Sequence, residues 1–247
     1  MRALWPSVLI GAAVLWAGAT TEVDPERLAA SAGRMVEFLA RMWPPDFTIM
    51  TELKKGLAET LRIAILGTLG SVVLSAGLSV LAAETVVGPL IWRPTRALLA
   101  LIRSIPLILV AMLMVAAVGL GPLPGALAIT FHATGMLAKF YSEAIDGVDR
   151  APVLALEGTG ATRLQRLRFG VWPQMAPVIM RDTIFRFELN LRESLILGVV
   201  GAGGIGFYIQ TYVRSFQYEK AATVTLAIAA LVLVIEALNS LLRRRFS

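Results

Sequence analysis

The sequence predicts an all-α integral membrane protein with about six transmembrane helices and one helical loop on the cytoplasmic side. Three observations carry that prediction. Of 247 residues, 57% are hydrophobic and only 16% charged, with a mean hydropathy of +0.73, well outside the range of soluble domains. Long apolar runs recur between short polar breaks. The arginines gather in a few places, at Arg2, at 93–103, at 163–168 and at Arg243-Arg244-Arg245, which puts both termini and the basic loops in the cytoplasm. The net charge of +6 therefore fits loops beside anionic lipid, and no aromatic-interleaved basic patch points to nucleic acid. The absence of cysteine excludes disulfides and cysteine metal sites.

Residues 3–20 read as a retained first transmembrane helix, although Ala17-Gly18-Ala19 resembles a leader cleavage site. Residues 24–42 place Leu28, Ala32, Met35, Val36, Leu39 and Met42 at helical spacing, as an amphipathic helix on the outer interface requires; Trp43-Pro44-Pro45 ends it. These parts make a first region, 1–56, and a core follows at 57–247. The second span, 57–83, has Glu59 and Arg62 at its mouth, spaced to pair, and Gly67, Gly70, Ser71, Ser75 and Gly77 for close packing. A loop is expected over 84–96. A third span runs from Ala97 to Val118, with Pro106 kinking it or separating a short foot. Gly119 to Pro124 forms an uncharged outer turn. The fourth span, from Gly125 to about Tyr141, holds the lone histidine, His132.

The polar stretch at about 142–177 interrupts the apolar pattern. Pro152 suits the first position of a helix and Gly160 the left-handed residue that ends one. Thr162 to Gln165 reads as a capping box for a second helix, stopped by Gly170 and Pro173. Composition alone is met by a plain basic loop that sets topology; the punctuation suggests a docking element.

The fifth span, 178–200, carries six charges. Arg181, Glu188 and Arg192 fall on one stripe, and Asp182, Arg186 and Glu193 on a second with Asn190 beside it. Glu188–Arg192 and Asp182–Arg186 are spaced to pair. A lone charge at a helix centre costs about 2.5–3.5 kcal/mol, so these faces need partners, a water-filled path, or both. Gly201, Gly203, Gly204 and Gly206 imitate a dinucleotide fingerprint, but the βαβ context is missing, and a hinge or re-entrant turn is expected instead. A last span covers 221–242. With no P-loop, no cysteine and one histidine, neither ATP binding in this chain nor a metal or histidine-dependent catalytic set is supported, so the chain is not read as an enzyme.

At the polar stretch the chain resembles the inner-membrane permeases of binding-protein-dependent ABC importers, whose loop follows E-A-A-x-x-x-G … I-x-L-P. Ala155, Gly160 and Pro173 stand in that register; Leu154 replaces the glutamate, Leu156 the second alanine, Gly170 the isoleucine and Trp172 the leucine. It is most similar in pattern to the phosphonate- and phosphite-type permeases. The matching stretches are Pro44-Pro45-Asp46-Phe47, Gly119 to Pro122, Thr159-Gly160-Ala161, Gly170 to Gln174, Arg186-Phe187-Glu188 with Asn190 and Arg192, and Val200 to Gly206.

The resemblance implies the type I importer permease fold, working as a pair with a second permease chain, a homodimer being the simplest case. Two cytoplasmic ATPase subunits would bind ATP and magnesium beneath it, and a periplasmic binding protein would deliver the ligand. Pro152, Leu154, Ala155, Leu156, Glu157, Gly160, Ala161 and Pro173 would form the coupling loop to the ATPase. Arg186, Glu188, Asn190, Arg192, Glu193 and His132 are candidates for the translocation path, with Arg186 and Arg192 as the donors a small phosphorus oxyanion needs; a structural network is the equal alternative. His132 reads more readily as a helix–helix hydrogen-bonding residue. A methionine-type permease is the runner-up, and an ATP-independent channel or secondary carrier is the competing class.

Overall fold

The computed structural model describes residues 5–21 and 25–246, and divides into two compact units, one ending at Pro45 and the other beginning at Asp46. All regular structure is helical. Arg2 lies outside the described residues, as do the side chains of Leu28 and of Arg243 to Arg245.

The first unit holds α1, Trp5–Thr20, and α2, Pro25–Arg41. Sixteen residues rise about 24 Å, short of the roughly 30 Å hydrocarbon core, so α1 is an apolar helix below spanning length. Helix α2 is amphipathic as its spacing predicts. Met35, Val36 and Leu39 are exposed, and Arg41 pairs with Glu37 at 2.8 Å on the polar side.

In the second unit Asp46 caps a short 3₁₀ turn, its carboxylate accepting from the Thr48 N–H at 2.8 Å. The hydrogen bonds from Thr48, and then the charge of Lys220, hold that carboxyl below its ordinary range. The turn runs into α3, Met50–Ala82, which is followed by α4, Pro89–Ser104, and α5, Leu107–Val118. Next come α6, Pro122–Asp146, α7, Arg150–Gly158, and α8, Arg163–Arg166. A π-helical segment, Leu167–Val171, leads into α9, Trp172–Leu197; α10, Ile205–Arg214, and α11, Tyr218–Phe246, complete the chain.

Helices α3 and α6 form the centre, because both carry small residues where they meet. A methyl on Gly67 would come within 2.5 Å of Ile129, and one on Gly70 within 2.6 Å of Thr130. Backbones that approach this closely exchange side-chain hydrogen bonds: Ser75 donates to the Thr134 carbonyl at 3.3 Å and Thr130 to that of Gly67 at 3.4 Å. Helix α9 docks on the same pair. Asn190 donates to the Thr68 hydroxyl at 2.8 Å, and the Tyr141 and Thr183 hydroxyls share a hydrogen bond of 2.5 Å.

By length and composition, two helices among the described residues can cross a membrane, Phe47–Ala82 and Tyr218–Asn239, and up to four spans exist if each of two bent pairs counts as one. Six continuous spans are therefore not seen. Residues 84–96 are not a loop, since α4 begins at Pro89. Pro106 separates α4 from α5 by an 85° turn, so the foot is a full helix and α5 keeps only 12 residues. The fifth span starts upstream of 178, because Gly170 and Pro173 do not stop the helix. Proline in a first turn removes no hydrogen bond, and the π segment absorbs the change of winding.

Candidate functional site

Three sites emerge from the residues singled out above, and they lie apart. The first is the polar loop. Asp149, not Pro152, begins α7: its side chain accepts from the Ala151 N–H at 2.9 Å, which leaves Pro152 at the third helical position. Gly160 takes φ +78° and reverses the chain. Thr162 and Gln165 then form the full capping box. Three contacts make the loop one rigid piece. Glu157 pairs with Arg166 at 2.7 Å. Gln174 accepts from the Asp149 N–H at 3.0 Å and donates to the carbonyls of Asp149 and Gly170. Gly170 is buried so tightly that an added methyl would sit 3.2 Å from both Val153 and Leu156.

The outward side of that piece is apolar. Leu154 is 61% exposed, Leu164 73% and Trp172 55%, with Leu167 and Phe169 alongside. Pro152, Ala155, Glu157, Gly160 and Pro173 are also exposed, whereas Leu156 and Ala161 are half-buried. Arg163 and Arg168, neighbours of these residues in sequence, are exposed as well. The loop is anchored by Asp146, the last residue of α6. Its carboxylate accepts from the N–H groups of Glu84 and Thr85 and pairs with Arg96 at 2.7 Å. Sequence reasoning missed this anchor, because about 50 residues separate the partners and no local pattern marks it.

The second site is the charged helix α9. Glu188 and Arg192 pair at 2.8 Å as spaced, and Glu188 also accepts from Asn239 of α11 at 3.2 Å. Asp182 and Arg186 do not pair. Asp182 takes its neighbour Arg181 at 3.1 Å, and Arg186 reaches two turns along the helix to Glu193 at 2.7 Å. Seven residues are almost two full turns, which brings Glu193 back to the face of Arg186. Arg186 is 3% exposed; its other terminal nitrogen meets the Met136 sulfur of α6 at 3.4 Å. His132 lies one turn before Met136 and is half-buried. Four buried polar atoms have no partner among the described residues: Nε of Arg186, Nδ1 of His132, Oδ1 of Asn190 and Nε of Arg103. Arg103 and Asn239 were not among the expected site residues.

Between the C-terminal end of α6 and the first turns of α9, a cleft of about 560 Å³ is lined by Glu143, Gln174, Arg181 and Asp182 among others. It lies on the seam that also holds Arg186 and Met136, one side of the same pair of helices.

The third site is the glycine turn. Gly201, Gly203 and Gly204 take φ near +80°, and Gly206 opens α10. The turn packs on the outer turn at Gly119 to Pro122, where the Gly121 N–H donates to the Gly201 carbonyl at 3.1 Å. A methyl on Gly206 would fall 1.9 Å from the Leu195 carbonyl oxygen. Helix α10 is capped from α3: Thr60 accepts from the Ile205 N–H at 2.8 Å and Glu59 from the Gly204 N–H at 3.3 Å. Glu59 serves this cap instead of pairing with Arg62.

Residues 57–247 match the family described as binding-protein-dependent transport system inner membrane component. The chain is similar to the phosphite transport system permease protein PtxC of Stutzerimonas stutzeri, at 42% identity over 204 residues, covering 82% of this chain and 74% of that one. It is 32% identical over 240 residues to the phosphate-import permease protein PhnE of Mycolicibacterium smegmatis, covering 96% of this chain and 45% of that one. In fold it is similar to a chain of the inward-facing MetNI methionine ABC transporter, with a TM-score of 0.69 at 22% identity over 82% of this chain and 99% of that one.

Proposed function

Since the chain belongs to the family of binding-protein-dependent transport system inner membrane components, we propose that it is the transmembrane subunit of an ATP-driven importer for a small phosphorus oxyanion, phosphonate or phosphite. The observation that carries the substrate is the 42% identity to a phosphite permease, which extends through the arginine-bearing helix α9. The methionine reading is supported only by a shared fold at 22% identity.

The machine works as a pair of permease chains with two ATPase subunits below and a binding protein outside. The core, 57–247, holds five membrane crossings when the bent pairs and α6 are counted as spans, and 1–56 adds a first membrane helix, which makes six, and an outer interfacial helix. The α7–α8 loop, 152–173, seats its exposed Leu154 and Leu164 in the ATPase. Braced by Gln174, the Glu157–Arg166 pair and the Asp146 anchor, it carries movement to α6 and α9 without bending. The two arrangements exchanged in alternating access differ in how α9 packs on α6, and the glycine turn is where α9 and α10 change angle. Arg186, Arg192 and His132 line the path, Glu188 and Glu193 keep the anion from binding too tightly to leave, and Asn190 holds α9 to α3.

ATP hydrolysis by the reconstituted complex tests this reading. Binding protein loaded with phosphite or methylphosphonate should raise the hydrolysis rate, and methionine should not. Stimulation by methionine alone would discard the phosphorus ligand, and uptake that proceeds with no ATPase present would discard the importer.

A further inference from the structure

Helix α6 gathers two arginines from opposite sides. At Gly135 it is crossed by α4, where an added methyl would touch Ile102, Arg103 and the Leu99 carbonyl, at 2.9, 3.0 and 3.1 Å. At Met136 it is met by Arg186 of α9. His132 sits between these contacts in angle: Gly135 projects about 60° to one side of it and Met136 about 40° to the other. One turn of α6 therefore carries His132 on the face between its contacts with Arg103 and with Arg186. That face is only half-covered at His132, Met136 and Lys139.

The chemistry of this face is unfinished. Arg186 is buried, its Nε has no acceptor, and one terminal nitrogen has only a thioether, a weak acceptor. Arg103 forms no ion pair among the described residues, and its Nε is buried without an acceptor. His132 Nδ1 is likewise unmatched. Glu193 is the carboxylate that pairs with Arg186, so the two arginines carry a surplus of one positive charge. Buried guanidinium nitrogens without acceptors are costly, and an oxyanion would satisfy them.

We propose that Arg103, His132 and Arg186 form an oxyanion subsite on the α6 seam, with Glu193 as an internal stand-in anion that yields Arg186 to the ligand. The proposal rests on the phosphorus-oxyanion reading above and adds Arg103 as a specificity-determining residue. Phosphite or a phosphonate offers three oxygens to converging N–H donors. Return of Glu193 to Arg186 then expels it, so the site holds the anion without trapping it. The cleft between Glu143 and Arg181 continues the seam toward the cytoplasm.

The permease–ATPase complex, in lipid nanodiscs without binding protein, is titrated with radiolabelled phosphite, and ATP-driven uptake of phosphite and methylphosphonate by wild type is measured in parallel in vesicles that also hold the binding protein. Arg103→Gln should weaken binding about ten-fold or more, and Arg103→Lys should recover most of it. Glu193→Gln should tighten binding about ten-fold while slowing uptake. Arg103 lies at a helix end and is only partly buried, so its variants decide the matter even where Glu193→Gln disturbs assembly. Wild-type uptake together with unchanged binding by Arg103→Gln overturns the subsite and leaves the importer reading standing. Weaker binding by an assembled Glu193→Gln complex overturns the stand-in role. Absence of ATP-driven uptake of both phosphite and methylphosphonate by wild type overturns the reading on which the subsite rests.

Discussion

Gly206 has no space for even a methyl group, because the Leu195 carbonyl occupies the position. Gly206→Ala should therefore abolish recovery of monodisperse protein in size-exclusion chromatography. Gly77→Ala, with nothing within 4 Å, should elute as wild type does. Thr60→Val removes the acceptor of the Ile205 N–H and should lower stability by about 1–2 kcal/mol, read as a fall in Tm of the purified permease. Of these two residues only the glycine was legible in the sequence. Four glycines within six residues announce a turn whatever its partners. The threonine that caps α10 lies 145 positions away and looks like any small residue of a packed span. The pairing of Arg186 with Glu193 was missed for a related reason: i,i+4 spacing is the local rule, and i,i+7 also returns a side chain to nearly the same face.

At the scale of elements, the polar loop was the most legible part. Capping chemistry is local, so the Thr162–Gln165 box and the reversal at Gly160 could be placed by number. The expected stop at Gly170 and Pro173 failed because a proline at the start of a helical segment and a π turn let α8 pass into α9. Continuity from Arg163 to Val200 matters for transport, since a push on the loop reaches Arg186 along one helical rod bent from α10 by 41°. Leu154→Asp and Leu164→Asp should each abolish co-purification of the ATPase and uptake, while the permease keeps its helical content by circular dichroism. Gln174→Ala releases the start of α7 and should reduce uptake about ten-fold with ATPase binding retained, since a loosened element still docks but transmits less. Equal uptake by Gln174→Ala and wild type would contradict a rigid loop.

For the whole molecule, apolar composition and arginine placement predicted a multi-pass helical protein, and the fold agrees with that of importer permeases. The number of crossings was less legible. Hydropathy counts apolar residues along one helix, whereas α5 is too short and α9 too charged to pass such a test alone. Helix α5 packs on α6, and α9 packs on both α3 and α6. Arg186 and Arg192 extend this to function: if α9 lines a path, Arg186→Gln and Arg192→Gln should each lose uptake while the complex still assembles. Intact uptake by both would assign the charges to structure alone. The central claim is ATP-driven import of a phosphorus oxyanion, and it is tested most directly by uptake of phosphite, methylphosphonate and methionine into vesicles holding the permease, its ATPase and its binding protein, with and without ATP. We predict entry of a phosphorus anion only with ATP; entry without ATP, or of methionine alone, would contradict it.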